Sequence, residues 1–190
     1  MILRYNITLV ISILCSYFAF SQIEIDYKHK TYVKSLEKIG ITNLSDIEEI
    51  IQSDSGIKTN QINGKYFSIN KKNVGLYQYI YVGRVNSCRA GGCSIYNDRS
   101  KEVNSEYFDY FILFDSNFKV KNVKVFNYQA THGQEITSKG WLKQFIDYNG
   151  SEQLVIGKNI DAISGATISV YAITADIEMK TNLLKNIIRY

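Results

Sequence analysis

The clearest pattern along the chain is a pair of apolar arms, Tyr107 to Phe114 and Val120 to Tyr128, separated by the turn-forming run Asp115-Ser116-Asn117. In the second arm Val123 and Val125 flank Lys124, the alternation of a strand with one buried face. The first arm is almost continuously apolar, which predicts an interior strand covered on both sides. Together they predict a β-hairpin. Upstream, Lys65 to Asn70 and Gly75 to Val85 are rich in Tyr, Ile and Val and read as strands. Between Ile23 and Ser55 the spacing is helical: Tyr32, Leu36 and Ile39 fall on one face, Gly40 ends the run, and Ser45 is placed to cap a second short helix through Ile51. The polar stretch Asp54 to Gly64 reads as a connector. Downstream, Ser138 is placed to cap Lys139 to Asp147, where Trp141, Leu142, Phe145 and Ile146 share a face. A last amphipathic helix begins near Ser169 and aligns Val170, Ile173, Ile177, Leu184 and Ile188. Strands and helices are segregated, so the expected class is α+β: an antiparallel sheet flanked by helices in a single domain.

Composition narrows this picture. In 190 residues, 45% hydrophobic and 21% charged, there is enough apolar material for a core and no case for disorder. The net charge of +4 comes without a block of Lys or Arg, so no nucleic-acid partner is expected. Arg4 precedes an apolar run from Ile7 to Phe20 that closes with small residues at Ala19 and Ser21. This predicts a signal peptide over residues 1–21 and export to a periplasmic or other extracytoplasmic compartment. An uncleaved membrane anchor is the second reading, and the run falls short of the roughly 20 apolar residues a spanning helix needs. Cys15 would leave with the signal, so residues 22–105 would retain Cys88 and Cys93 in an oxidising compartment, where a disulfide is expected. In Cys88-Arg89-Ala90-Gly91-Gly92-Cys93 that bond is either a structural staple or an exchangeable redox pair. The histidines, His29 and His132, and the absence of CxxC spacing give no metal site.

The chemistry gathers just before the last helix, in Asp161-Ala162-Ile163-Ser164-Gly165-Ala166-Thr167-Ile168-Ser169. A glycine turn leading into a helix N-terminus presents free backbone N–H groups and the positive end of the dipole, a place that favours a phosphate. Thr167 offers a hydroxyl there. An ordinary Ser or Thr helix cap explains the same spacing.

The pattern D-x-x-S-G-A-T-x-S resembles the flavinylation motif of the FMN-binding domain family, found in the flavin-carrying subunits of the sodium-pumping NADH:quinone reductase and its Rnf relatives. The hairpin, the segment Ala130 to Ile136 and the run Gly140 to Phe145 agree with that family's order of parts, so the resemblance covers residues 106–190 and leaves 22–105 unexplained. It implies FMN held by a phosphodiester link to Thr167, installed outside the cytoplasm by a Mg-dependent flavin transferase that uses FAD. Gly165 and Ala166 would keep the approach open, and Asp161 and Ser164 would orient the segment. Acid, base and metal would then belong to the transferase. In place of the family's usual proline-glycine pair stands Thr131-His132-Gly133. Gly133 is a candidate for close approach to the flavin, and His132 for a hydrogen bond to it or for a plain surface loop. Trp141 is a candidate stacking partner or a core residue. The resemblance implies an exported electron carrier that works with an unidentified redox partner protein, rather than a stand-alone enzyme. Two other readings stay open: a noncatalytic exported binding module, and a flavin-dependent reductase with its own substrate, although no GxGxxG fingerprint is present for a nicotinamide donor.

Overall fold

Five antiparallel strands form one sheet among the residues described by the computed structural model, which are 24–50, 63–71, 75–89 and 105–189. They are β1 (Ile47–Glu49), β2 (Gly64–Ile69), β3 (Tyr79–Arg89), β4 (Ser105–Phe114) and β5 (Val120–Tyr128), and they neighbour one another in chain order. Helix α1 (Lys30–Lys38) covers one face of the sheet. The other face carries α2 (Lys139–Leu142) and the 23-residue α3 (Thr167–Arg189). The class is α+β, as the segregated pattern predicts.

Burial on both faces explains the unbroken apolar arm. In β4, Tyr110, Ile112 and Phe114 turn toward α3 while Phe111 and Leu113 turn toward α1, and all five are fully buried. The hairpin turn is held by Asp115, whose carboxylate accepts the backbone N–H groups of Asn117 and Lys119 at 2.8 and 2.9 Å. Phe118 closes the turn with φ 60°, and its ring stacks on Tyr79 with centroids 5.6 Å apart. At the other end of the hairpin a β-bulge between the pairs Asp109–Asn127 and Tyr110–Val125 leaves Phe126 as the extra residue, buried on the α1 side.

Helix α1 ends as its sequence predicts. Gly40 adopts φ 92°, its N–H reaches Glu37 O at 3.0 Å, and the Ile41 N–H reaches Leu36 O at 3.0 Å, so two terminal carbonyls are satisfied while Ile41 packs in the same cluster as Leu36.

The expected second helix after Ser45 is not there. Ser45 lies in the single turn Leu44–Asp46, and Ile47–Glu49 joins the edge of the sheet, with Ile47 opposite Ile69. Asp46 decides this: its carboxylate accepts from the N–H groups of Thr42 and Asn43 and from Lys71, and the chain leaves the turn extended. The strand expected from Gly75 begins at Tyr79, with Gly75 and Leu76 in a turn. The proposed signal segment, residues 1–21, lies outside the described residues, as do Cys93 and the side chain of Cys88.

On the α3 side, Gly64 and Gly83 face each other across β2 and β3, and the Tyr81 ring lies over both. A Cβ on either glycine would collide with the Tyr81 hydroxyl. Tyr66 packs on Tyr81 with centroids 4.8 Å apart and donates to Lys180 O at 2.9 Å. Tyr110 donates to Asp176 Oδ2 at 2.6 Å, and Lys180 Nζ stands 3.4 Å from the other oxygen.

Candidate functional site

The last helix starts at Thr167, two residues before the position its apolar spacing predicts. Ala166 therefore holds the cap position, and its carbonyl accepts the Val170 N–H at 2.9 Å. This corrects the expectation of a Ser or Thr cap, because Thr167 is already helical and its hydroxyl is left for other work. Thr167 is exposed. The N–H groups of Thr167, Ile168 and Ser169 lie in the first turn, where the helix supplies no carbonyl for them.

The turn that feeds the helix is open on its outer side. Ser164 and Gly165 are exposed, and Gly165 has φ 80° with nothing within 4 Å of where a Cβ would stand. Ala166, by contrast, is buried and pins the turn to the core, its N–H donating to Ile163 O at 3.1 Å. Asp161 is tied down through its backbone: its N–H donates to Gln144 Oε1 at 2.7 Å and its carbonyl accepts from Trp141 Nε1 at 2.9 Å. The carboxyl-bearing residue itself is exposed. Trp141 takes the core reading, packing edge to face on Phe145 with centroids 5.3 Å apart.

The inner side of the helix start is filled. Ser169 is buried, with its hydroxyl 2.6 Å from Ser87 Oγ on β3 and 3.4 Å from the Tyr128 hydroxyl at the end of β5. Tyr128 donates to His132 O at 2.5 Å, which leaves its oxygen to accept from Ser169. Burial raises the Tyr128 phenol above its ordinary range, so it remains a donor at neutral pH. Gly133, with φ 87°, presents its bare Cα to this cluster: a Cβ would stand 2.7 Å from Ser169 Oγ. The space that marks Gly133 as a glycine thus belongs to Ser169. The His132 side chain is exposed.

The structure therefore brings Ser164, Gly165, Ala166 and Thr167 together with His132 and Gly133 around one helix start, while the backbone of Asp161 is anchored to Trp141 and Gln144. Ser87, Tyr128 and Ser169 are the residues that sequence reasoning did not single out as site residues. Ser169 at least ends the motif; Ser87 and Tyr128 carry no local signal, because only strand pairing places them there.

An exposed nucleophilic hydroxyl in the first turn of a long helix, beside an open glycine, suits attachment of an anionic group. The first-turn N–H groups would donate to its phosphate oxygens, and the open space at Gly165 leaves room for approach. Residues 107–178 match the family model of the FMN-binding domain, from within β4 to within α3, which indicates FMN as the cofactor. No curated protein matches the chain.

Proposed function

We infer, from the FMN-binding domain over residues 107–178, that this protein is an exported electron-transfer flavoprotein carrying FMN on Thr167. Flavin binding or electron transfer follows from the domain itself; attachment and export are the finer reading. The observation that carries the attachment is the exposed Thr167 hydroxyl at the start of α3, next to Gly165 with its open surroundings. In the attachment step, Thr167 Oγ attacks the FMN-side phosphorus of FAD, the pyrophosphate bond breaks and AMP leaves. The hydroxyl proton passes to a base of the Mg-dependent transferase. Bound FMN supplies one- and two-electron chemistry. The chain's part is to hold the phosphate at the helix start, with Ser169, Tyr128 and Gly133 fixing the turn from behind. A redox partner protein completes the electron path.

Intact mass tests the attachment and the export together. Coexpressed with the transferase in a secreting host, the protein should have the intact mass of residues 22–190 plus FMN less water, less the hydrogens lost on closing a Cys88–Cys93 disulfide. Thr167→Ala should lack the flavin increment and the yellow colour, and Thr167→Ser should keep some of both. Stability should change by no more than about 0.5 kcal/mol in Thr167→Ala, because the exposed residue is not the cap. A Thr167→Ala protein that still carries covalent flavin would sink the assignment.

A further inference from the structure

The two sides of the helix start differ sharply. The inner side is closed by Ala166, Ser169, Tyr128 and Gly133, so a planar ring tethered at Thr167 finds no room there. The outer side carries uncovered apolar surface: Ile168 is 42% exposed and Tyr171 is 59% exposed. Tyr171 stands four residues after Thr167, on the same face of α3 and one turn along, where side chains come about 5–6 Å apart at Cβ. These two side chains give a flat group tethered at Thr167 an apolar surface within reach.

We propose that Tyr171, with Ile168 beside it, is the platform on which the isoalloxazine ring of the FMN on Thr167 rests. The inference depends on the attachment reading above. The occupant follows from the tether: a phosphate and a ribityl chain reach farther than one helical turn of about 5.4 Å, and a ring held so close meets Tyr171 intramolecularly, at a high effective concentration. A phenol ring is flat, stiff and apolar on its face, which suits offset stacking on another flat ring. Its exposed edge leaves one side of the flavin open to a redox partner.

The test uses the full chain coexpressed with the flavin transferase, with loading checked by intact mass. A phenol in contact with an excited flavin donates an electron and quenches its fluorescence, whereas a phenyl ring does not. The wild-type protein should therefore fluoresce several-fold less than free FMN. Tyr171→Phe should restore emission several-fold while keeping the anisotropy and the visible circular dichroism, because the ring still stacks. Tyr171→Ala should restore emission and lose both signals. Each variant should unfold at the wild-type denaturant midpoint. If both Tyr171 variants match the wild type in emission at full loading, or if Tyr128→Phe releases it instead, the ring lies elsewhere and the proposal is overturned. A wild-type chain whose mass shows no flavin overturns the attachment reading, and this proposal with it.

Discussion

Gly133 shows how much one missing methyl decides. Its φ of 87° suits glycine, and the place a Cβ would take lies 2.7 Å from Ser169 Oγ. Gly133→Ala should therefore cost about 1–3 kcal/mol, from a left-handed backbone and a forced shift of the Ser169 hydroxyl together. Placed in a Ser169→Ala background, the same change should cost less, since the oxygen it strikes is gone. Urea unfolding of the four proteins separates the two causes: equal costs in both backgrounds would leave backbone strain alone. Sequence marks Gly133 for close approach of a ligand; the structure gives the space to Ser169. The glycine was legible, and its neighbour was not, because Ser169 arrives through the docking of α3.

Strands β3, β4 and β5 share a buried polar contact on the side of the sheet that α1 covers. Asp109 on β4 is fully buried and accepts from Arg84 on β3 at 2.6 and 2.9 Å and from Asn127 on β5 at 2.8 Å. The Arg84 guanidinium also lies 3.7 Å from the centroid of the Tyr107 ring. Removing the carboxylate takes away two charge-assisted hydrogen bonds from Arg84 and one from Asn127 at a fully buried position, so Asp109→Ala should lower unfolding stability by about 3–5 kcal/mol. The denaturant midpoint reads this, and a loss under about 1 kcal/mol would contradict it. Hydrophobic spacing predicts the hairpin that holds Asp109, yet one polar residue in an apolar run is indistinguishable from a surface position until both neighbouring strands are in register. The matched residues 107–178 include Asp109 and Asn127 but not Arg84 or Ser87, so β3 completes both this cluster and the helix-start cluster from outside the match.

Across the whole molecule, tyrosine is the residue that links the layers. Tyr66, Tyr81 and Tyr110 are buried beneath α3 and their phenols are held well above the ordinary value, first by burial and then by the nearby Asp176 carboxylate. Tyr27 and Tyr148 are each pushed up to about 12, again by burial first. In the unfolded chain these groups lose their protons near pH 10, while the folded protein keeps them. Stability from them is thus complete below pH 10 and is lost as pH rises toward their folded values, at about 1.4 kcal/mol per pH unit for each fully buried phenol. Circular dichroism against pH should show a steep cooperative unfolding above pH 10, with tyrosinate absorbance rising in the same step. Tyrosinate forming well before the fold is lost would contradict it.

Local pattern was enough for the hairpin, the stop of α1 at Gly40, the amphipathic face of α3 and the Ser138 cap, whose hydroxyl accepts the Trp141 N–H at 3.3 Å although α2 ends at Leu142 and not at the expected Asp147, because each depends on residues within a few positions of one another. The motif around Thr167 was legible for the same reason: turn, glycine and hydroxyl are contiguous. Ser45 failed because helix and edge strand differ there by which partner the backbone finds, and the partner, β2, lies beyond the local window. The start of α3 fell at Thr167 because Ala166 is drawn into the core, which no helical period records. Which side of Thr167 is closed and which is open was decided only when β3, β5 and the Gly133 turn met the helix, since space and burial are properties of the packed assembly and not of any stretch of chain.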